Sequence, residues 1–290
     1  MTRSGIVALA GAPNVGKSSL LNALVGSHLA IVSPRPQATR LPVTGVVTQG
    51  DTQFVFVDLP GLLDPSYLLQ ARMMASAEAA LREADVILRL APADDATASV
   101  AGPPLPGADR LAAPILNVFT KGDLASPGRR AELARHGTVV SIEDPASLVV
   151  LLSVVRSHLP EREFAHDPDD IGTQPLRFFV TEFLREAAFE LLQEEVPYAV
   201  AAEIEEFREG VSPVYIRVTL LVERESQKGI VIGRGGQMIK AIGAHARARI
   251  EALLGAPVYL DLRAKVLPGW RRKPAALSRL GFPIASSEPQ

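Results

Sequence analysis

The amino-acid sequence predicts two folded units in series: an α/β unit built on a mainly parallel sheet, then a smaller α+β unit. Three observations carry this. Short apolar runs of strand length, at 6–10, 54–57, 86–90 and 115–119, recur through the first half with helix-like segments between some of them, the pattern of a covered parallel sheet. An acidic, proline-bearing stretch at 161–174 then breaks the apolar pattern and reads as a linker. Beyond Pro175 the order becomes helix, strand, strand, glycine loop, helix, strand. The predicted units are therefore 1–160 and 175–290, joined by 161–174.

In chain order, 6–10 is a buried strand, and 18–25 a helix entered through a glycine-rich turn. Residues 33–42 carry three prolines and read as an extended, mobile loop. A helix is expected at 67–82, a loop or broken helix at 91–114, where Ala, Pro and Gly dominate, and a last helix at 149–158, stopped by Pro160. In the second unit, helices are expected at 176–192 and 237–254, with strands at 200–206, 214–223 and 258–265.

Composition removes several classes of function. With 290 residues, 47% hydrophobic and 21% charged, the chain is too apolar to be mostly disordered. The absence of cysteine excludes disulfides, thiol catalysis and thiolate metal sites. No window approaches the roughly 18 apolar residues of a spanning helix. The apolar run after Arg3 is read as a strand rather than a signal peptide, and a cytoplasmic protein is expected. The net charge of −2 conceals an asymmetry: residues 161–209 hold 4 Lys+Arg against 14 Asp+Glu, and 210–280 hold 13 against 4. The basic part suits phosphates; mutual neutralisation of the two parts is the alternative, and both stay open.

Gly11-Ala12-Pro13-Asn14-Val15-Gly16-Lys17-Ser18, followed by Ser19, matches the phosphate-binding loop at every specified position. It also lies between a predicted strand and a predicted helix, as that loop requires. Its backbone N–H groups would cradle phosphates at a helix N-terminus. Lys17 would neutralise the β- and γ-phosphates, and the Ser18 hydroxyl would ligate Mg²⁺. Asp58-Leu59-Pro60-Gly61 follows a strand; Asp58 would hold Mg²⁺ through water, and the Gly61 N–H would meet the γ-phosphate. Thr120-Lys121-Gly122-Asp123 approximates the guanine-reading pattern Asn-Lys-x-Asp. The Asp123 carboxylate accepts from guanine N1–H and the 2-amino group, which adenine cannot match, and the Lys121 stem lies along the base. Thr39, in the proline-rich loop, would reach Mg²⁺ and the γ-phosphate. Ser141-Ile142 would offer backbone N–H groups to the guanine oxygen. Leu62 stands where many GTPases carry a water-orienting glutamine, so intrinsic hydrolysis is expected to be slow.

In the second unit, Val231-Ile232-Gly233-Arg234-Gly235-Gly236-Gln237-Met238-Ile239 fits the Gly-x-x-Gly loop of a KH module, which clamps about four nucleotides. Lys228, Arg234 and Lys240 would meet phosphates, and Ile232 and Ile239 would floor the bases. The element order is that of a type II KH domain. Trp270 either stacks on a base or, the favoured reading, packs against the domain.

A phosphate-loop GTPase unit followed by a KH module resembles the Era family of bacterial GTPases over nearly the whole chain. Further matching stretches are Gln37-Ala38-Thr39-Arg40, Leu221-Val222-Glu223-Arg224-Glu225-Ser226-Gln227-Lys228 and Lys265-Val266-Leu267-Pro268-Gly269-Trp270, with Ala276-Leu277-Ser278-Arg279-Leu280-Gly281 near the carboxyl end. Leu59 and Thr120 depart from the family's usual Thr and Asn, and Ser141-Ile142 from Ser-Ala. The resemblance implies a GTP- and Mg²⁺-dependent factor in maturation of the small (30S) ribosomal subunit, binding the 3′ end of 16S rRNA. It also implies peripheral contact with the cytoplasmic face of the inner membrane. Asn14 matches an asparagine that holds K⁺ beside the phosphates in relatives, which implies K⁺-assisted hydrolysis. A monomer is expected. The competing readings are an RNA-binding scaffold with a vestigial nucleotide site and, less favoured, a phosphate-loop kinase.

Overall fold

The computed structural model describes residues 1–95 and 104–284. They form two units, Met1–Asp64 with Met73–Thr173, and Pro65–Arg72 with Gln174 onward.

Unit 1 is built on a six-stranded sheet in the order β2-β3-β1-β4-β5-β6. Its strands are β1 (Arg3–Gly11), β2 (Val43–Gln49), β3 (Thr52–Asp58), β4 (Val86–Pro92), β5 (Ile115–Thr120) and β6 (Thr138–Val139). All neighbours pair in parallel except β2 with β3. The central strand β1 is apolar throughout because both its faces are covered: Val7, Ala8, Leu9 and Ala10 are fully buried. Phe54 and Phe56, two apart on β3 and hence on one face, stack at 5.8 Å. The register sets Leu9 beside Asp58, Gly11 beside Leu90 and Pro92 beside Thr120. The strand ends bearing the three sequence motifs therefore lie together at the carboxyl edge, where open α/β sheets bind ligands.

Helices α1 (Lys17–Val25), α2 (Leu68–Glu83), α3 (Pro127–Leu133) and α4 (Pro145–His158) connect the strands; the first residues of α2, to Arg72, group with unit 2. Several features of unit 1 differ from the sequence expectation. Strand β2 was missed because Val43–Gln49 is an edge strand whose apolar run is interrupted by Thr44, Gly45 and Thr48, and it is entered from a proline-rich loop. Helix α3 is too short for a periodic signal; Ser126 caps it by accepting from Arg129 N–H. Helix α4 starts earlier than 149, at Pro145, because Asp144 caps it from the Ala146 N–H. The stretch 161–173 is bonded to unit 1 rather than free: Gln53 Oε1 accepts from Ala165 and His166, and Val46 N–H donates to the Ile171 carbonyl. Of the loop expected at 91–114, residues 96–103 lie outside the described residues; β4 runs to Pro92 and a single 3₁₀ turn spans Ala108–Arg110.

Unit 2 has a three-stranded sheet, β7 (Ala201–Arg208), β8 (Val214–Val222) and β9 (Val258–Val266), with β8 central, antiparallel to β7 and parallel to β9. Helices α5 (Leu176–Leu191) and α8 (Gln237–Leu254) supply its apolar cover, with Phe179, Phe183, Leu184, Ile242 and Ile250 buried. Shorter helices are α6 (Val196–Ala199), α7 (Glu225–Ile232) and α9 (Pro274–Arg279). Helix α7 falls in the segment read as a glycine loop. Its β-branched residues and Gly229 hide its helical character, and the buried Gln227 carboxamide starts it by accepting from Glu223 and Arg224 N–H. Trp270 is fully buried and its Nε1–H donates to the Ala199 carbonyl at 2.8 Å, so it packs in the core and is unavailable for base stacking.

Candidate nucleotide site and candidate nucleic-acid loop

At the carboxyl edge of the unit 1 sheet, the loop between β1 and α1 curls around Lys17. The ammonium is buried and donates to the carbonyls of Ala12 at 2.8 Å and Gly11 at 3.3 Å. Gly61 lies against this loop: a Cβ there would come within 2.8 Å of the Pro13 Cα, so only glycine permits the approach. The adjacent Leu62 N–H donates to the Gly11 carbonyl at 3.0 Å.

Three oxygen-bearing side chains converge beside Lys17. Ser18 Oγ donates to Asp58 Oδ2 at 2.7 Å, Thr39 Oγ1 donates to the same oxygen at 3.2 Å, and the two hydroxyls are 3.1 Å apart. The other carboxylate oxygen, Asp58 Oδ1, is buried without a hydrogen-bond partner. An orphaned buried carboxylate oxygen beside two hydroxyls is an all-oxygen donor set of the kind that suits Mg²⁺. Burial pushes the Asp58 carboxyl above the usual aspartate range, with Lys17, Ser18 and Thr39 offsetting part of the shift. Burial pulls the Lys17 ammonium down, against the attraction of Asp58.

These shifts set the sign of a pH effect. A carboxyl whose folded-state pKa is raised contributes stability that is complete below its ordinary value of 3.8 and lost as pH rises through the raised one. The Asp58 carboxyl thus stabilises the nucleotide-free fold less at neutral pH than in acid. Asp58→Asn keeps an acceptor for Ser18 and Thr39, and is expected to raise the nucleotide-free melting temperature by about 2–4 °C. An unchanged or lower melting temperature would contradict this account of Asp58.

A cavity of about 350 Å³ lies over the loop, bordered by Asn14, Lys17, Ser18, Thr39 and Gly61. A neighbouring cavity of about 230 Å³ shares Gly16, Ser19 and Lys121 with it and continues to Thr120, Asp123 and Ile142. Asp123 of that second cavity accepts from Ser141 Oγ through its Oδ1 at 2.6 Å, which fixes the carboxylate plane. Thr120 Oγ1 donates to the Val15 carbonyl at 2.5 Å and ties the β5 end to the phosphate loop. Strand β6 ends at Val139, two residues short of Ser141, so Ser141-Ile142 sit in a turn rather than at the strand end.

In unit 2, Gly233, Gly235 and Gly236 all have positive φ, and a Cβ on Gly233 would meet Met238 Cβ at 2.7 Å. No atom lies within 4 Å of a Cβ built on Gly235 or Gly236, so that side of the loop is open to a backbone. Arg234 and Lys240 are exposed, Ile232 and Ile239 half-buried, and Lys228 pairs with Glu225 at 3.4 Å. Much of the basic segment is neutralised within the unit: Arg249 binds Glu186 and Glu190, Arg217 binds Asp261, and Arg271 binds Glu223. Part of the charge asymmetry is therefore mutual neutralisation of the two stretches, as between Arg249 and Glu186 or Glu190.

The model of a family described as 50S ribosome-binding GTPase matches residues 6–105, and that of the KH domain matches 195–271. The chain is 40% identical to GTPase Era of a Nocardioides species, over 97% of this chain and 96% of the relative. It is 36% identical to GTPase Era of Carboxydothermus hydrogenoformans, over 97% and 98%. The chain belongs to the Era family of GTPases. A crystal structure of an Era in complex with MgGDPNP and nucleotides 1506–1542 of 16S ribosomal RNA superposes with a TM-score of 0.88 at 35% identity, covering 98% of this chain and 100% of that one. An Aquifex aeolicus Era variant bound to GDP·AlF4⁻ gives the same TM-score, identity and coverage.

Within this Era-family chain the residues singled out by sequence collect in two places. Gly11 to Ser19, Thr39, Asp58 to Gly61, Thr120, Lys121, Asp123, Ser141 and Ile142 belong to unit 1, and Lys228 to Lys240 to unit 2. Leu59 is fully buried in an apolar cluster with Ala8 and Ile87, so its side chain serves packing. Sequence reasoning missed Ser33, Pro34 and Gln37, which line the larger cavity, although the three prolines marked their loop. It also missed Asn22, whose carboxamide accepts from Leu29 and Ala30 N–H and donates to the Ala30 carbonyl, anchoring the start of that loop. A lone asparagine inside a helix gives no such signal. Among the described residues, no helix is long and apolar enough to cross a membrane.

Proposed function

We propose that this chain is a GTP-binding, GTP-hydrolysing protein that binds 16S rRNA near its 3′ end and acts in assembly of the small ribosomal subunit. The observation that carries the nucleotide half is the convergence of Ser18, Thr39 and Asp58 beside Lys17, with Asp58 Oδ1 left for a cation. Lys17 would neutralise the phosphates, Ser18, Thr39 and Asp58 would hold Mg²⁺, and Gly61 N–H would meet the γ-phosphate. The bound Mg²⁺ would supply charge neutralisation between phosphates. Asp123, oriented by Ser141, would read guanine. The RNA half is supported by the open Gly235-Gly236 loop and by the relative crystallised with an RNA segment. The description of the matching GTPase family names the 50S subunit; the KH unit and that complex favour the small one. Peripheral membrane contact belongs to the same reading on family resemblance alone.

Displacement of a fluorescent GDP analogue tests the reading. GDP should compete at least about 100-fold better than ADP, because a site whose polar groups match guanine leaves them unpaired against adenine. Equal competition would sink it.

Leu62 offers no group to orient water, so intrinsic turnover should be slow. Asn14 stands at φ 63° with its Nδ2 donating to the Pro34 carbonyl at 2.8 Å, which turns its amide oxygen over to a ligand. K⁺ there would add positive charge at the phosphates, so GTP turnover should be faster in KCl than in NaCl of equal ionic strength. Equal rates would remove K⁺ from the mechanism. RNA and GTP are expected to bind cooperatively, each tightening the other by the same factor. In support, the segment Pro65–Arg72, which begins four residues after Gly61, groups with unit 2.

A further inference from the structure

We infer that this chain selects guanine without a hydrogen bond to the purine N7, and that Thr120 is the reason. The inference rests on the guanine-nucleotide reading above and refines how the base is recognised. Guanine presents two donors, N1–H and the 2-amino group, and two acceptors, O6 and N7, the latter pair sharing one edge. Asp123, its Oδ1 held by Ser141, is the acceptor in the smaller cavity that suits the donor side. The acceptor edge needs protein donors. Ile142 borders the cavity and its N–H has no protein partner among the described residues, which suits O6.

Thr120 cannot supply the second donor. A threonine hydroxyl carries a single proton. At Thr120 both neighbours of Oγ1 are backbone carbonyls, Val15 O at 2.5 Å and Ala91 O at 3.4 Å. Neither can donate, so the proton is committed to them, and what remains on Oγ1 is lone pairs. The residue is also only 4% exposed, and its short bond to the Val15 carbonyl holds the hydroxyl in that direction. Thr120 therefore keeps the tie between base loop and phosphate loop while giving up a hydrogen bond to the base. An asparagine amide has two protons and could serve the Val15 carbonyl and N7 together.

The test compares GDP, 7-deaza-GDP, in which N7 is a C–H, and ADP, as competitors of a fluorescent GDP analogue on the full chain. For the unmodified protein, GDP and 7-deaza-GDP should bind within about twofold of each other. Thr120→Ser keeps the one-proton hydroxyl and should behave alike. Thr120→Asn should favour GDP over 7-deaza-GDP by about 2- to 12-fold, the worth of one neutral hydrogen bond. A clear loss with 7-deaza-GDP on the unmodified protein would overturn the inference, as would a Thr120→Asn protein that binds GDP yet treats both alike. ADP separates the two claims. If ADP matches GDP the guanine reading itself has failed, whereas GDP preferred over ADP but not over 7-deaza-GDP is the result expected here.

Discussion

Lys17→Met is expected to weaken GDP binding by at least about 100-fold while leaving the chain folded. In the structure the buried ammonium donates to two neutral carbonyls, Gly11 and Ala12. A phosphate would replace these with anionic acceptors. Charge-assisted hydrogen bonds contribute about 1.5–3 kcal/mol each, so losing two costs two decades or more at about 1.4 kcal/mol per decade. The fold should tolerate the change for a stated reason. Burial already pulls the Lys17 pKa down, so its charge is a cost to the nucleotide-free protein, and methionine preserves the apolar stem. Without the ammonium, the Asp58 carboxyl loses the charge that opposes its upward shift and should move higher still. Titration of a fluorescent GDP analogue alongside a thermal melt checks both halves. Binding within tenfold of the unmodified protein would remove Lys17 from phosphate recognition, and a collapsed melt would assign it a structural role instead.

The second large effect is expected in unit 2. Arg234→Asp combined with Gly235→Asp should weaken binding of an RNA spanning nucleotides 1506–1542 of 16S rRNA by more than tenfold, with GDP affinity unchanged. The pair removes one exposed cation and adds two carboxylates on the side of the loop open to a phosphodiester backbone. Gly235 has φ 59° and nothing within 4 Å of a built Cβ; aspartate is among the residues that tolerate that region. The loop should therefore hold its shape. Removing a cation that neutralises a phosphate should also flatten the dependence of RNA affinity on salt, by about one unit of slope per phosphate no longer neutralised. Unchanged RNA affinity would place the interface elsewhere on the unit. Gly233 is the wrong position for this test, because its Cβ would collide with Met238 and damage the fold directly.

Several features were legible in sequence because they are local. The phosphate loop needs its residue types at fixed spacing between a strand and a helix, and Gly11 to Ser18 satisfy both. The apolar runs around Val7, Phe54, Leu88 and Val118 read as strands because a strand covered on both faces has no polar side to show. The packing role favoured for Trp270 agrees with the fold, where the ring is buried with its N–H bonded to Ala199. Features too short to show a period, or dependent on neighbours distant in sequence, were not legible. Helix α7 owes its start to Gln227 capping Glu223 and Arg224, and helix α3 is seven residues long; neither leaves a periodic trace. The stretch 161–173 read as a linker because it is acidic and polar, yet Gln53 of β3 binds its backbone.

The sequence by itself determined most of the longer elements, the two kinds of unit and the residue types at each motif, because backbone conformation and apolar periodicity are properties of short windows. Only the tertiary structure decided what those residues face. Parallel pairing of β1 with β3 brought Ser18 to Asp58 across forty positions and left one carboxylate oxygen buried and unpartnered. Burial, which is set by the whole unit, then moved the Asp58 and Lys17 pKa values in opposite directions. The same packing placed Thr120 between two carbonyls and fixed where its single proton goes. A hydroxyl read in sequence is both donor and acceptor; the acceptors that surround it in the fold choose between the two.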